Sequence, residues 1–561
     1  MRITCLGQAG FYLETARGSI LCDPWFNPAY FGSWLPFPSN EQIDVATLST
    51  PDYLYVSHMH FDHFDPDWLR EHVSKETTVL LPDYPLDLLE KALRACGFTK
   101  FIQTKNYAWT ELPTGLRVAI AASVAPIDGP LGDSGLVVDD GQVKIFDQND
   151  SRPMDIDALA ELGPFDAHFL QYSGAIWYPM VYQYPAKMLD VLGRKKRENE
   201  MARAVRYIKE IGAKFIIPSA GPPCFLDDGL FELNDFDRDP ANTFPDATVF
   251  LDYMREHGYE HGRLMIPGTV ATLTHETCEV SHPVPEAEVA AIFTAKRAYL
   301  EAYKARQQPR IDAIKASWPR GKHDIQAELK AWFEPLLQEA DILAAGINGL
   351  VVLDLGASGV VLDFHTRTVY PWEGQEWDYY FKIDPALIEA EIEKRQEDWV
   401  NDLFLSCRFE AGRKGAYNEY VYIFFKCLTE ERLQYAEGYY AEKAPEQQFF
   451  EAHGYRIQRR CPHLKADLER FAIIDENHIL TCTMHGWQFE LETGKCLTSD
   501  DRHLYSQRLD TPASQAPAEK LAAQIDTGPA NLIRDRCHDC WYDAKKFKRT
   551  PTGAATGDGQ D

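Results

Sequence analysis

Cysteine and positive charge are both scarce in this 561-residue sequence, and each scarcity excludes something. Twelve cysteines, unevenly spaced, do not make the disulfide framework of a small secreted protein. The 57 basic residues stand against 85 acidic ones, for a net charge of −28. That balance argues against nonspecific nucleic-acid binding and against anionic membrane surfaces. No apolar run approaches the roughly 18–20 residues of a membrane span. The opening "MRITCLGQAGFYLE" lacks a basic stretch and an apolar core before a cleavage site, so no signal peptide is expected. A reducing cytoplasm is the expected compartment.

A chain this long needs more than one core. Residues 1 to about 280 alternate β-rich runs with turn signals, as in "MRITCLG", "GFYLET", "YLYVSH" and "SGLVVDD". Helices are expected near 85–96 and 186–212, the second ending in a glycine C-cap before the strand "AKFIIPS". This pattern predicts a sheet sandwich covered by helices. Residues 285–345 read as helical, "GLVVLDLGASGVVLDFHTRTVYP" as a strand pair, 386–410 as helix and 430–446 as a linker. A compact β-rich module is expected over 447–545, followed by a disordered tail over 546–561.

Two blocks carry the chemistry. Cys461-Pro-His463, then 18 residues (464–481), then Cys482-Thr-Met-His485 puts one cysteine and one histidine on each of two short loops. Two thiolates on one iron and two neutral imidazoles on the other is the ligand set of a Rieske [2Fe–2S] centre. A zinc site is the competing assignment, but zinc fingers pair cysteine with cysteine and histidine with histidine. "CPHLKAD" holds no further cysteine to brace the loops, which resembles the ferredoxin and oxygenase type. Cys537 and Cys540 form a lone CxxC, read as unpaired thiols with a zinc site as the alternative.

The second block is "HMHFDHFD", directly after the apolar "PDYLYVS". Its HxHxDH pattern resembles the metallo-β-lactamase fold. A strand ending in this loop lets His58 and His60 bind one metal while Asp62 and His63 turn toward a second. Asp23 in "ILCDPW" would brace the loop. Asp150, next to Asn149 and near Asp147 in "KIFDQNDSRP", follows a strand where a carboxylate can bridge two metals. Asp62 and Asp150 are the catalytic candidates. The usual third-ligand histidine is absent from "APIDGPLGDSG", leaving Asp128 and Asp133 as candidate ligands or turn caps. The usual last histidine after "KFIIPS" is replaced by "AGPP". Fewer imidazoles and more carboxylates favour iron over zinc. The expected class is α/β: a metallo-β-lactamase-like αββα sandwich (1–285), a mixed helical and β middle region (286–430) and a C-terminal all-β Rieske domain (447–545).

"ILCDPWFNPAYFGSWLPFP", "YLYVSHMHFDHFDPDWL", "QNDSRP", "FLQYSGAIWYPMVY", "KFIIPSAGPPCF" and "WVNDLFLSCRFEAGRKGAYNEYVYIFFK" together resemble the CMP-N-acetylneuraminate hydroxylase family over most of residues 1–428. The vertebrate enzyme is similar with its Rieske module first, whereas here it comes last. The resemblance implies an oxygen-dependent hydroxylase fed through the Rieske centre by an external donor: a ferredoxin, a reductase or a b-type cytochrome. Its non-haem iron site is expected to be di-iron, with mononuclear iron as the alternative. Its substrate would be a small anion such as a CMP-sialic acid-like nucleotide sugar.

Substrate contacts are less sharply marked. Arg194, Lys195, Lys196 and Arg197 could clamp a phosphate or form a solvated helix face. Tyr172 in "YSGAIWYP" offers an aromatic face for a ligand or for the core, and His168 reads as a core histidine or a residue near the metals. Three functions remain open on these residues: an iron monooxygenase, a zinc hydrolase with a redox-sensing Rieske module, and an electron-transfer protein whose lactamase-like domain has no chemistry.

Overall fold

Ile3, Cys5, Phe11, Leu13, Ile20 and Cys22 alternate along three antiparallel strands, Arg2–Gly7, Gly10–Thr15 and Gly18–Cys22, and so share one face. The computed structural model describes residues 1–174, 176–234, 236, 241–441, 448–463, 466–499 and 502–509. Strands Tyr53–Tyr55, Thr78–Leu81 and Phe101–Gln103 extend the first sheet in parallel, and Val270–Leu273 and Cys278–Ser281 complete its eight strands. A six-stranded sheet faces it, in the order Phe215–Ser219, Ala167–Gln171, Lys144–Asn149, Asp133–Asp139, Arg117–Ser123, Thr110–Glu111.

Val118, Ile120, Leu136, Ile145 and Phe169 of the second sheet pack against Phe11, Leu13, Ile20 and Leu80 of the first. Helices Pro66–His72 and Leu88–Ala95 cover the outside of the first sheet through Trp68, Leu69, Leu89 and Leu93. Helices Ile156–Leu162 and Ala186–Ile211 cover the second. The expected αββα sandwich is therefore present. Gly212 ends the long helix in the left-handed region, at φ 63°, as its C-cap reading required.

Tyr53–Tyr55 and Lys144–Asn149 each run parallel to a neighbour in its own sheet. The loops that follow them, carrying His58 and Asp150, meet. Loops at the carboxyl ends of parallel strands are where α/β sheets place ligands.

The middle region differs from its sequence reading in three places. The expected strand pair is three strands, Leu350–Asp354, Gly359–Asp363 and Thr368–Pro371, in a five-stranded sheet with Tyr379–Ile383 and Phe409–Arg413. The expected helix over 386–410 stops at Lys394 and resumes only as a π-helical turn over Val400–Phe404. The expected linker contains the helix Glu430–Ala441, which buries Leu433 and Ala436. Its few apolar residues sit on one side, so polarity in sequence hid a packed face.

The C-terminal region holds two three-stranded antiparallel sheets. It packs on the helix Ala186–Ile211: Tyr207 lies against Phe471 at 5.0 Å between ring centroids, and its hydroxyl reaches Met484 Sδ at 3.4 Å. Cys537, Cys540 and the tail lie outside the described residues. Among the described residues, no helix is long and apolar enough to cross a membrane.

Candidate metal centres and the cavity between them

The loop after Tyr53–Tyr55 gathers three imidazoles, each with one nitrogen on a backing oxygen and the other turned inward. His58 Nδ1 meets Asp133 Oδ1 at 3.2 Å, His60 Nε2 meets Asn401 Oδ1 at 2.6 Å, and His63 Nδ1 meets Asp23 Oδ2 at 2.8 Å. Asp23 also accepts from Ser57 N and Ser57 Oγ, at 2.7 and 2.6 Å, so it braces the loop. Such backing oxygens fix ring orientation at metal sites.

The inward nitrogens of His58 and His60 meet at 2.6 Å, and Asp150 stands between those of His58 and His63. Its Oδ2 lies 3.9 Å from His58 Nε2 and its Oδ1 lies 3.6 Å from His63 Nε2. His58, His60 and Asp150 offer ligand atoms that all lie within 4.8 Å of one another. Asp62 Oδ2 lies 3.8 Å from His63 Nε2 on the other side, and the Asp62 carboxylate is held by Tyr30 OH at 2.7 Å and Gln8 Nε2 at 3.0 Å.

Burial alone would raise the Asp150 pKa, but His63, His58 and His60 bring it down to about 2. Burial opposes charge on His63, yet Asp150, Asp62 and Asp23 lift its pKa well above the usual imidazole range. His63 Nε2 and Asp150 Oδ1 are buried without a hydrogen-bond partner. Orphaned buried groups are costly, and these two face each other across a gap lined with further donors of the same kind. The set fits one or two divalent metal ions.

The Asp128 carboxyl is raised to about 6 by burial and by Asp133, and it accepts from Ala125 N at 3.1 Å, the turn-cap role. Asp133 backs His58 from the side away from Asp150. Asn149 is occupied: its Nδ2 donates to Ser134 O and its Oδ1 accepts from Asp150 N. Asp147 is buried with neither carboxylate oxygen partnered. His168 is a core residue, bonded to Gln148 Oε1 at 2.8 Å and stacked on Phe146.

At the second centre the Cys461 and Cys482 thiols are free and buried, and the His463 and His485 rings lie 4.9 Å apart. His463 stacks on Trp487 at 4.2 Å and has its Nε2 on Glu419, which Arg502 also contacts at 3.2 Å. Glu419 thus backs His463 as Asp23 backs His63, leaving the other nitrogen for a metal. Two thiols and two imidazoles on adjoining loops fit a Rieske cluster.

One cavity of about 360 Å³ adjoins both centres, with His60, Asp133 and Asp150 in its lining at one end and His463, His485 and Gly486 at the other. The expected basic clamp does not form along it. Successive helix residues diverge by about 100°. Arg194 is exposed, Lys195 Nζ donates to Gln488 Oε1 at 3.1 Å, buried Arg197 binds Asn242, and only Lys196 lines the cavity. Tyr172 packs in the core, stacked on Phe250 at 5.0 Å.

Sequence reading missed Asn401, Glu419 and Lys426. A lone acid opening the apolar run "EYVYIFFK" and a lone lysine closing it were the available signals. Lys426 Nζ is buried and donates to Pro126, Ile127 and Gly129 carbonyls at 3.1, 2.8 and 2.6 Å, and Asn401 Nδ2 donates to Gly129 O at 3.3 Å. Lys426→Met is expected to cost about 3 kcal/mol or more in chemical denaturation, since three buried charge-assisted bonds worth about 1.5–3 kcal/mol each are lost while the burial of one charge is relieved. Asn401→Ala frees His60 and should lower metal affinity about 10–100-fold in a chelator competition.

Comparison with known proteins agrees with this layout. The beta-lactamase superfamily domain matches residues 19–219, the Rv3818-like, SCP2-like domain 325–442, and the Rieske [2Fe-2S] domain 450–505. The Rieske 2Fe-2S iron-sulfur protein Rv3818 of Mycobacterium tuberculosis (strain H37Rv) is 49% identical over 516 residues, covering 91% of this chain and 100% of that protein. The chain belongs to the Rv3818 family of Rieske proteins. A family member from Mycolicibacterium smegmatis is 49% identical over 521 residues, with the same coverage. Among solved structures, CmlA, a diiron beta-hydroxylase from Streptomyces venezuelae, is 18% identical with a TM-score of 0.34, covering 49% of this chain and 54% of that one. Igni18, a metallo hydrolase from Ignicoccus hospitalis, is 17% identical with a TM-score of 0.33, covering 48% and 96%. At these scores neither likeness bears on activity.

Proposed function

We propose that this Rv3818-family protein is an oxygen-dependent monooxygenase with non-haem iron, in the di-iron form, at the His58–His60–Asp62–His63–Asp150 site. The observation that carries the reading is the single cavity bordered by both sets of metal-binding side chains. When bound, the iron pair would supply dioxygen chemistry and the cluster single electrons, and a carrier held in the same chain acts at high effective concentration. The substrate is a small anionic metabolite, and a CMP-sialic acid-like nucleotide sugar, which the sequence resemblance implies, belongs in the screen beside smaller acids. An external ferredoxin, reductase or b-type cytochrome is the proposed donor.

The chain's own residues do the positioning. Asp133, Asn401 and Asp23 hold the three imidazoles, Tyr30 and Gln8 hold Asp62, and Glu419 holds His463. Lys426 fixes the 126–129 loop against the π-helical turn that carries Asn401, so the middle region closes the cavity over the lactamase-type site.

Metal analysis after iron-replete expression tests the reading. About four irons per chain are expected, two in the cluster and two in the N-terminal site. Two irons with two zincs would favour the hydrolase, and two irons alone the electron-transfer protein.

A further inference from the structure

The cavity wall between the two centres carries Arg152, Lys196 and Arg203. Lys196 pairs with Glu200 at 3.0 Å and donates to Gly174 O at 2.6 Å. Arg152 and Arg203 are different. Among the described residues each makes one hydrogen bond, both to the Met484 carbonyl, at 3.2 and 3.3 Å, and neither has a carboxylate within 4.0 Å. Arg203 is only 6% exposed. A guanidinium carries five N–H donors, so most of the donors of both arginines are left for something else. Three cations stand here against two carboxylates, Glu200 paired with Lys196 and Asp128 on the Arg152 side, which leaves a local positive surplus in a largely buried place that an anion would offset.

The same lining also offers apolar and aromatic surface from Ile127, Ile176, Trp177, Leu405 and Ile423. At about 360 Å³ the cavity is near the lower end of the roughly 300–1,000 Å³ range of small-molecule sites. That size suits a compact acid better than a nucleotide sugar.

We propose that Arg152 and Arg203, beside the Lys196–Glu200 pair, bind the anionic oxygen headgroup of the substrate, a compact acid whose apolar body lies along Ile176, Trp177 and Ile423. The word substrate rests on the oxygenase reading; the anion subsite itself does not. Because both arginines also hold the Met484 carbonyl, the headgroup would sit against the Cys482–His485 loop, with the body directed toward Asp150.

Calorimetric titration of the metal-loaded protein with phenylacetate, phenyl phosphate and neutral phenylacetamide tests this, the two anions distinguishing a carboxylate from a phosphate headgroup. At least one anion should bind, with the amide at least about tenfold weaker. Arg152→Gln and Arg203→Gln should each weaken that anion about tenfold or more and leave the amide unchanged, with circular dichroism and the cluster's EPR spectrum as checks on folding. If Arg203→Gln does not fold, the half-buried Arg152 carries the test. The proposal is overturned if neither anion binds, if the amide binds as well, or if the variants keep full anion affinity and shift only the midpoint potential of the cluster. Anion binding without oxygen uptake would leave the subsite standing and remove the oxygenase reading; oxygen uptake without anion selectivity would do the reverse.

Discussion

Asp150→Asn protein is expected to hold at most about one metal ion in its N-terminal site, with the Rieske signal unchanged. The carboxylate points one oxygen at His58 and the other at His63, and the surrounding imidazoles keep it ionised far below neutral pH. A bridging carboxylate offsets the repulsion between two cations held about 3.5–4 Å apart. Asparagine keeps the shape and removes the charge. Turnover should fall by about 100-fold or more, at the upper end of what loss of a metal-site partner costs. The four cluster side chains lie in another region, so their EPR spectrum serves as an internal control. Full metal content with near-native turnover would move the bridge to Asp147, whose carboxylate oxygens are buried without a partner.

The second large effect is expected from His485→Ala. Removing one of two imidazoles opens a coordination position on the cluster, and iron should fall by about two per chain together with the visible colour and the EPR signal. The N-terminal site should keep its metal. Its imidazoles are backed by Asp23, Asp133 and Asn401, which come from the N-terminal and middle regions and not from the 461–485 loops. Survival of the cluster signal would reassign the ligand, with the buried Cys496 the nearest alternative in type.

Both centres were legible because their ligands come in short runs, where spacing alone restricts geometry: His58 to His63, and two Cys–His loops. The αββα sandwich was legible for the same kind of reason, since period-two alternation in the first 22 residues fixes which face is buried. What supports the ligands was not. Asn401 lies 341 residues from His60 and Glu419 lies 44 from His463, and no local pattern reports a contact across such separations. The basic run at 194–197 misled because four adjacent charges look like a cluster in sequence and are splayed around a helix in space. The cations that do line the cavity, Arg152, Lys196, Arg203, Arg413 and Lys426, are scattered from position 152 to position 426, with only one of them inside the run.

The most direct test of the central claim, that the two centres serve one reaction, is the rate at which oxygen discharges a pre-reduced cluster. Stopped-flow mixing of the reduced holoprotein with dioxygen, in the presence of each anion that binds, should reoxidise the cluster at least about tenfold faster than in Asp150→Asn protein, whose cluster is intact. Equal rates in the two proteins would mean that electrons leave the cluster without passing to the lactamase-type site, and would contradict the account.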